Sequence, residues 1–335
     1  MASLKDVARL AEVSVATASL ALNGKSVNEK TREKVLKCAE KLGYVPNRGG
    51  QTLITGKSNT ILMVLLNNSK YADLMKESTF FYNFMIGVLG EAQKRDYNFH
   101  LEVKTWDDPD LESFFRTRCH DKSADGVIVM PQYIKSYSFL PYMKNFPHVI
   151  LNPCITDESM NYVMVEHEYG GSVVAELLVE KGFKDIAVIH GPQDHFDAKS
   201  RHDGFLNTLA KQGITLPDHR QYYSDFTIQS GYDGASHILE GKEAPDVIFC
   251  CNDFVAAGAM KYAREHGFSI PVDLSIIGYD NTDISRAVYP ALTTVDAKLR
   301  DVGRAMAALL FRQIEDGETG IHSYIRPKLL IRETL

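Results

Sequence analysis

Short apolar runs, most of them continuous, recur along most of the chain, at Ile61–Leu66, Gly126–Met130, Val149–Leu151, Ile186–Ile189, Val247–Cys251 and Leu274–Gly278. Amphipathic stretches lie between them, among them Phe84–Arg95, Gly171–Lys181, Phe205–Gln212, Val255–His266 and Val302–Ile314. A strand with one wet face alternates apolar and polar residues, whereas a strand covered on both faces does not. The runs therefore predict an α/β fold: parallel strands buried between layers of helices and joined as βαβ units with right-handed crossovers. Roughly 280 residues of this pattern is long for one sheet, so two α/β subdomains are expected.

The first 57 residues differ in kind. They hold ten Lys and Arg against five Asp and Glu, a charge of +5, while the whole chain carries −6 and residues 58–335 carry −11. A basic head on an acidic body points to a polyanionic partner for the head alone. The head's pattern is helical. Ser3, with Asp6 three residues on, makes a capping-box start, and Leu4, Val7, Ala8 and Ala11 then share one face. Glu12-Val13 forms a turn. Ser14 caps a second helix from Val15 to about Leu22, which Asn23-Gly24 closes. Asn28 caps a third helix, with Val35, Leu36, Ala39 and Leu42 on its apolar face and Gly43 at its end. Two short helices on a tight turn, braced by a third, have helix-turn-helix geometry, in which the second helix lies in the major groove.

Other classes are disfavoured. No apolar run is long enough to span a membrane, and Met1-Ala2-Ser3-Leu4-Lys5 has no signal-peptide pattern, so a cytoplasmic protein is expected. The five cysteines (38, 119, 154, 250, 251) have no metal-ligand spacing and suit a reducing compartment. No HExxH, phosphate loop, GxGxxG or GxSxG is present. No metal, cofactor or catalytic residue is expected.

Leu4-Lys5-Asp6-Val7-Ala8-Arg9-Leu10-Ala11, Val13-Ser14-Val15-Ala16-Thr17-Ala18-Ser19, Leu22-Asn23-Gly24, Thr31-Arg32-Glu33-Lys34-Val35 and Leu42-Gly43-Tyr44-Val45-Pro46-Asn47 resemble the lactose-repressor (LacI/GalR) family. The resemblance continues to about Leu330. It implies a helix-turn-helix head over 1–46, a hinge over 47–58 and a periplasmic-binding-protein-like body of two subdomains over 59–335. The first subdomain would take about 59–158 plus 291–322, and the second about 159–290 plus 323–335. The implied function is a transcriptional repressor. It would bind a pseudo-palindromic double-stranded DNA operator as a homodimer, under the control of a small carbohydrate-like effector.

The resemblance also assigns residues. Val15, Ala16 and Leu20 would face base edges. Leu20 cannot make the bidentate contact to guanine that a cationic residue makes, so this surface would instead meet thymine methyls. Ser14, Thr17, Ser19 and Asn23 would hold phosphates or cap. In the hinge, Leu53 would wedge into the minor groove, and Gly49-Gly50 would weaken the hinge helix by roughly 1 kcal/mol each. In the body, Arg201 and Asp280 match the family's ligand arginine and aspartate. Asn252, Phe226, Phe80 and Phe81 match its other ligand positions. Asn152 stands where Asp-Arg is usual, and Glu166-His167 where Asp-Asn is usual. About eight extra residues, Lys70–Glu77, would form a lid or dimer padding. The chain stops after the strand-like Lys328–Arg332 without a heptad tail, so a dimer is expected rather than a coiled-coil tetramer. The rival readings are a sugar-binding protein without a regulatory role, a nucleoside or purine effector, and a sugar-processing enzyme using Asp280 and Glu166.

Overall fold

The computed structural model describes every residue except 1, 25, 46–55, 69–79, 132, 134–136 and 241–242. The expected hinge residue Leu53 and the Lys70–Glu77 insertion lie outside the described residues. The chain divides into two compact units, Met1–Ser58 and Asn59–Leu335.

The first unit contains α1 (Leu4–Leu10), α2 (Val15–Leu22) and α3 (Glu29–Lys41). Ser3 and Asp6 close a reciprocal capping box. The Ser14 hydroxyl accepts from the Thr17 N–H at 3.0 Å, and the Asn28 side chain accepts from the Lys30 N–H at 3.0 Å. Gly24 and Gly43, at φ +68° and +59°, end α2 and α3 in the left-handed region expected of them. Val7, Ala8, Ala11, Ala18, Ala21, Val35 and Ala39 form the core. Only Val7 and Val35 among them exceed alanine in size, each contributing about 1.5 kcal/mol by burial. Leu36 was expected on the buried face of α3, yet it is 46% exposed. It follows Val35 by one residue, a 100° turn that carries it out of the stripe; Cys38 and Leu42 pack there instead.

The second unit holds two six-stranded sheets. The first contains β1 (Thr60–Asn67), β2 (Asn98–Thr105), β3 (Gly126–Pro131), β4 (His148–Leu151), β5 (Tyr162–Val165) and β11 (His322–Ile325), in the order β11-β5-β4-β3-β1-β2 and parallel throughout. The second contains β6 (Ile186–His190), β7 (Gln221–Tyr223), β8 (Val247–Cys250), β9 (Ser275–Tyr279), β10 (Thr293–Asp296) and β12 (Lys328–Leu330), in the order β12-β10-β9-β8-β6-β7, with only β12 antiparallel.

Their helices are α4 (Phe80–Gln93), α5 (Leu111–Arg118), α6 (Leu140–Met143), α7 (His167–Glu180), α8 (Phe196–Lys211), α9 (Ile228–Leu239), α10 (Asp253–Glu265), α11 (Ile284–Ala287) and α12 (Leu299–Asp316). Alternate residues of β1 serve opposite cores. Ile61, Met63 and Leu65 pack with Phe84, Met306 and Leu310 of α4 and α12, while Leu62, Val64 and Leu66 pack with Phe115 of α5 and Phe139. In the second sheet, Val188 faces Val174 and Phe205 of α7 and α8, while Ile189 faces Ile238 and Ala259 of α9 and α10. Continuous apolar runs are what such two-sided burial requires.

The chain crosses between the sheets after Val165, after Asp296 and after Ile325. These crossings fall later than the expected boundaries at 158/159, 290/291 and 322/323. Tyr162–Val165 and His322–Ile325 pair with each other in the first sheet, and Thr293–Asp296 pairs with β9 in the second. Two crossings are tied together by Arg326, whose Nε donates to Glu166 Oε2 at 2.7 Å and whose guanidinium lies over the Tyr169 ring.

Candidate functional site

In the first unit, the exposed face of α2 is the candidate nucleic-acid surface. Ala18 and Ala21 face the core, which turns Val15, Ala16 and Leu20 outward. Val15 is 43% and Leu20 40% exposed, so Leu20 is not a core residue. The helix carries no charged side chain, and its N-terminus presents the positive end of the helix dipole. The polar residues around it are engaged locally. Ser14 Oγ lies 2.8 Å from Thr17 Oγ1, and Asn23 Nδ2 donates to Ser19 Oγ at 3.3 Å.

In the second unit, the carboxyl ends of β4, β8 and β9 bring polar groups together, as open α/β sheets do. Arg201 sits on α8 and Asp280 follows β9. Arg201 Nη2 is 3.0 Å from Asp280 Oδ1, with both side chains buried. Nη1 donates to the Cys251 carbonyl at 2.8 Å and Nε to His167 Nδ1 at 3.3 Å. The guanidinium lies 4.0 Å from the Tyr279 ring centroid. Burial pushes the Asp280 carboxyl up and the facing Arg201 opposes that push; the carboxylate in turn keeps Arg201 firmly charged.

Glycine makes this placement possible. A Cβ at Gly204 would sit 1.9 Å from the Glu168 carbonyl oxygen, and one at Gly171 would sit 2.1 Å from the Arg201 carbonyl oxygen. Helices α7 and α8 therefore touch backbone to backbone, which brings Arg201 over β9.

From the first sheet, Asn152 reaches the same cluster. It follows β4 at φ +44°, a conformation asparagine tolerates better than most residues. Its Oδ1 accepts from the Val165 N–H at 2.7 Å, and its Nδ2 donates to Asp197 Oδ1 at 2.9 Å. Asp197 Oδ2 is 3.6 Å from His167 Nε2. Burial, reinforced by Arg201, keeps the His167 ring neutral. Burial alone would raise the Asp197 carboxyl, yet His167, His195 and Arg201 hold it below the ordinary carboxylate range.

The remaining assigned residues divide. Asn252 caps α10, its Oδ1 accepting from the Val255 N–H at 2.8 Å, and its Nδ2 donates to the Phe226 carbonyl at 3.2 Å. Phe226, at φ +74°, packs edge-on to His195 with 4.9 Å between centroids. Two strained non-glycine residues, Phe226 and Asp280 (φ +97°), thus flank one site. Phe81 is buried in the core of the first sheet, while Phe80 packs against the cores of both sheets. Glu166 is taken up by Arg326 and forms no carboxylate pair with Asp280.

His167, Asp197, His195 and Tyr279 belong to the cluster and were not assigned as ligand residues from the sequence. Asp197 precedes Arg201 by four residues, which places both on one face once α8 is known to begin at Phe196. Nothing in the sequence separates Tyr279 or His195 from ordinary core and capping residues. Among the described residues no group of three or more His, Cys, Asp or Glu could hold a metal, and no helix is long and apolar enough to cross a membrane.

Residues 3–47 match the bacterial regulatory proteins of the lacI family, and residues 175–335 match the periplasmic binding protein-like domain. The chain is 31% identical to the probable HTH-type transcriptional repressor ExuR of Bacillus subtilis, over 95% of this chain and 93% of that one. It is 28% identical to the ribose operon repressor of Haemophilus influenzae, over 100% and 99%. A structure of the Lac repressor bound to ONPG in the repressed state superposes with a TM-score of 0.84 at 25% identity, covering 100% of this chain and 99% of that one. The relatives are repressors rather than enzymes. The helix-turn-helix head and the two-sheet body thus join in one assignment: the chain belongs to the lacI family of bacterial regulatory proteins, as a DNA-binding transcriptional repressor with a periplasmic-binding-protein-like ligand domain.

Proposed function

We propose that this repressor acts in the cytoplasm as a homodimer on a pseudo-palindromic operator, and that a small carbohydrate-like effector bound between the two sheets sets its affinity for DNA. The observation that carries this reading is the buried polar cluster. Asn152 from the first sheet and Asp197, Arg201 and Asp280 from the second meet in one place. A ligand that exchanges hydrogen bonds with these groups changes how the two sheets are held, and it shifts the protein toward whichever arrangement it binds more tightly. A polyhydroxylated ligand suits the donors of Arg201, Asn152 and Asn252, the acceptors of Asp197 and Asp280, and the Phe226 ring. The names and ligands of the relatives, a ribose operon repressor and a Lac repressor bound to ONPG, support the same class.

In the head, Val15, Ala16 and Leu20 read the major groove, Ser14, Thr17, Ser19 and Asn23 hold phosphates or cap, and Leu53 enters the minor groove at the dyad.

Operator selection from random DNA, followed by titration with and without carbohydrates, tests the whole reading. A palindromic site whose affinity changes with one sugar, and no longer changes in Arg201→Met, is expected. Absence of sequence-specific binding at about 150 mM salt would favour a sugar-binding protein without a regulatory role.

A further inference from the structure

The inference here rests on the reading of the inter-sheet cluster as an effector site, and concerns the charge of the effector. The Arg201 guanidinium is already matched by Asp280, 3.0 Å away, and its other donors serve the Cys251 carbonyl and His167. Asp197 has no such match. Its Oδ1 accepts from the Asn152 amide and its Oδ2 faces His167, and among the described residues no Lys or Arg forms an ion pair with it. Burial pushes both His167 and His195 toward the neutral form, so neither ring is a permanent cation as Arg201 is. Two carboxylates therefore face one guanidinium.

The position of Asp197 adds a second constraint. It lies in the first turn of α8, a 16-residue helix. The N-terminus of such a helix is where an anionic ligand group is ordinarily received. Here the helix supplies its own carboxylate at that end, and the Ala198 N–H is already used by the His195 ring. An incoming carboxylate or phosphate would meet Asp197 in a largely buried site, where charge is screened less than in water. A hydroxyl would find acceptors there, in the carboxylate oxygens of Asp197 and Asp280, each of which has more than one lone pair.

We propose that the effector is an uncharged polyol, and that Asp197 is the residue that excludes sugar acids and sugar phosphates. The test is a thermal-shift and calorimetric comparison on the full chain using matched probes. These are glucose with glucuronate and glucose 6-phosphate, galactose with galacturonate, ribose with ribose 5-phosphate, then cellobiose and hypoxanthine. A neutral sugar should stabilise the protein and bind about tenfold or more tighter than its anionic partner. Asp197→Asn, or Asp197→Ser should the first fold poorly, should narrow that ratio. An acid or phosphate that binds the unaltered protein as tightly as its neutral parent overturns the proposal and leaves the carbohydrate reading standing. Binding of hypoxanthine alone overturns both. Silence from every neutral sugar at about 10 mM also counts against it, since that concentration detects even millimolar affinity.

Discussion

Asn152 Nδ2 donates to Asp197 Oδ1 at 2.9 Å, and this one bond joins the end of β4 in the first sheet to the first turn of α8 beside the second. Asn152→Asp keeps the side chain's shape and its tolerance of positive φ but replaces the donor with a carboxylate. Attraction becomes repulsion between two anions at hydrogen-bond distance. Loss of a buried bond of this kind costs about 1–3 kcal/mol. The variant should unfold at lower urea and show a larger radius of gyration in small-angle scattering. An unchanged radius and midpoint would show that the bond does not hold the sheets together.

Arg201 and Asp280 are coupled. Arg201→Met strands a buried carboxylate and should destabilise the body by about 3–5 kcal/mol, whereas Asp280→Asn leaves a cation that still has the Cys251 carbonyl. The double substitution should cost less than the two single losses combined. A double-mutant cycle in urea reads this directly, and strict additivity would mean that the pair is a contact without energy.

Much of this was legible in the sequence, and the gaps have physical causes. β1, β3, β4, β6, β8 and β9 are covered on both faces and announced themselves as apolar runs, continuous in all but β9, which opens on Ser275. β2 escaped because it is an edge strand, where Leu101 and Val103 alternate with His100, Glu102 and Lys104. β5, β10 and β11 are four residues long and carry the crossings, so their misplacement moved every subdomain boundary. Helix α8 was expected from Phe205 but begins at Phe196, because its first turns bury polar groups, Arg201 among them, instead of an apolar stripe. The same cause hid Asp197. Motif spacing located Arg201, Asp280 and Asn252, but only packing shows which partners they hold.

Acid should weaken the body. Burial keeps His167 neutral, lowers His195 to about 4, and, with neighbouring His202, lowers His190 to about 3. Each ring binds fewer protons folded than unfolded. Its contribution is therefore whole above the ordinary value of 6.5 and is lost as pH falls from there toward the folded value. Asp197 acts in the same sense, but only below its ordinary 3.8. Between 6.5 and their folded values, His190 and His195 each lose about 1.4 kcal/mol per pH unit, and His167 adds to the loss in the same direction. Urea midpoints at about pH 7.5 and 5 measure it. Equal midpoints would mean that these rings take up protons without unfolding.

Gly204→Ala should separate α7 from α8. The new methyl would meet the Glu168 carbonyl oxygen at 1.9 Å, so backbone must move. Overpacking of this kind costs about 1–3 kcal/mol, and the shift also displaces Arg201 one turn earlier on the same helix. Gly90→Ala in α4 is the matched control. Nothing lies within 4 Å of its Cβ, and removing a mid-helix glycine should stabilise by about 0.5–1 kcal/mol. Thermal melts separate the two, and equal effects would show that α7 and α8 can part by a methyl's width without loss of stability.

The outward face of α2 predicts how the head discriminates sequence. Val15 and Leu20 offer apolar surface and no bidentate donor, so thymine methyls are the base features they can recognise. Leu20→Ala should weaken binding by about 1 kcal/mol at sites with thymine in the contacted position, and much less where uracil replaces it. The salt dependence should stay the same, because no phosphate contact is lost. Anisotropy titrations on thymine and uracil versions of one selected operator decide the matter. A strong guanine preference in each half-site that disappears in Leu20→Ala would rule out methyl recognition.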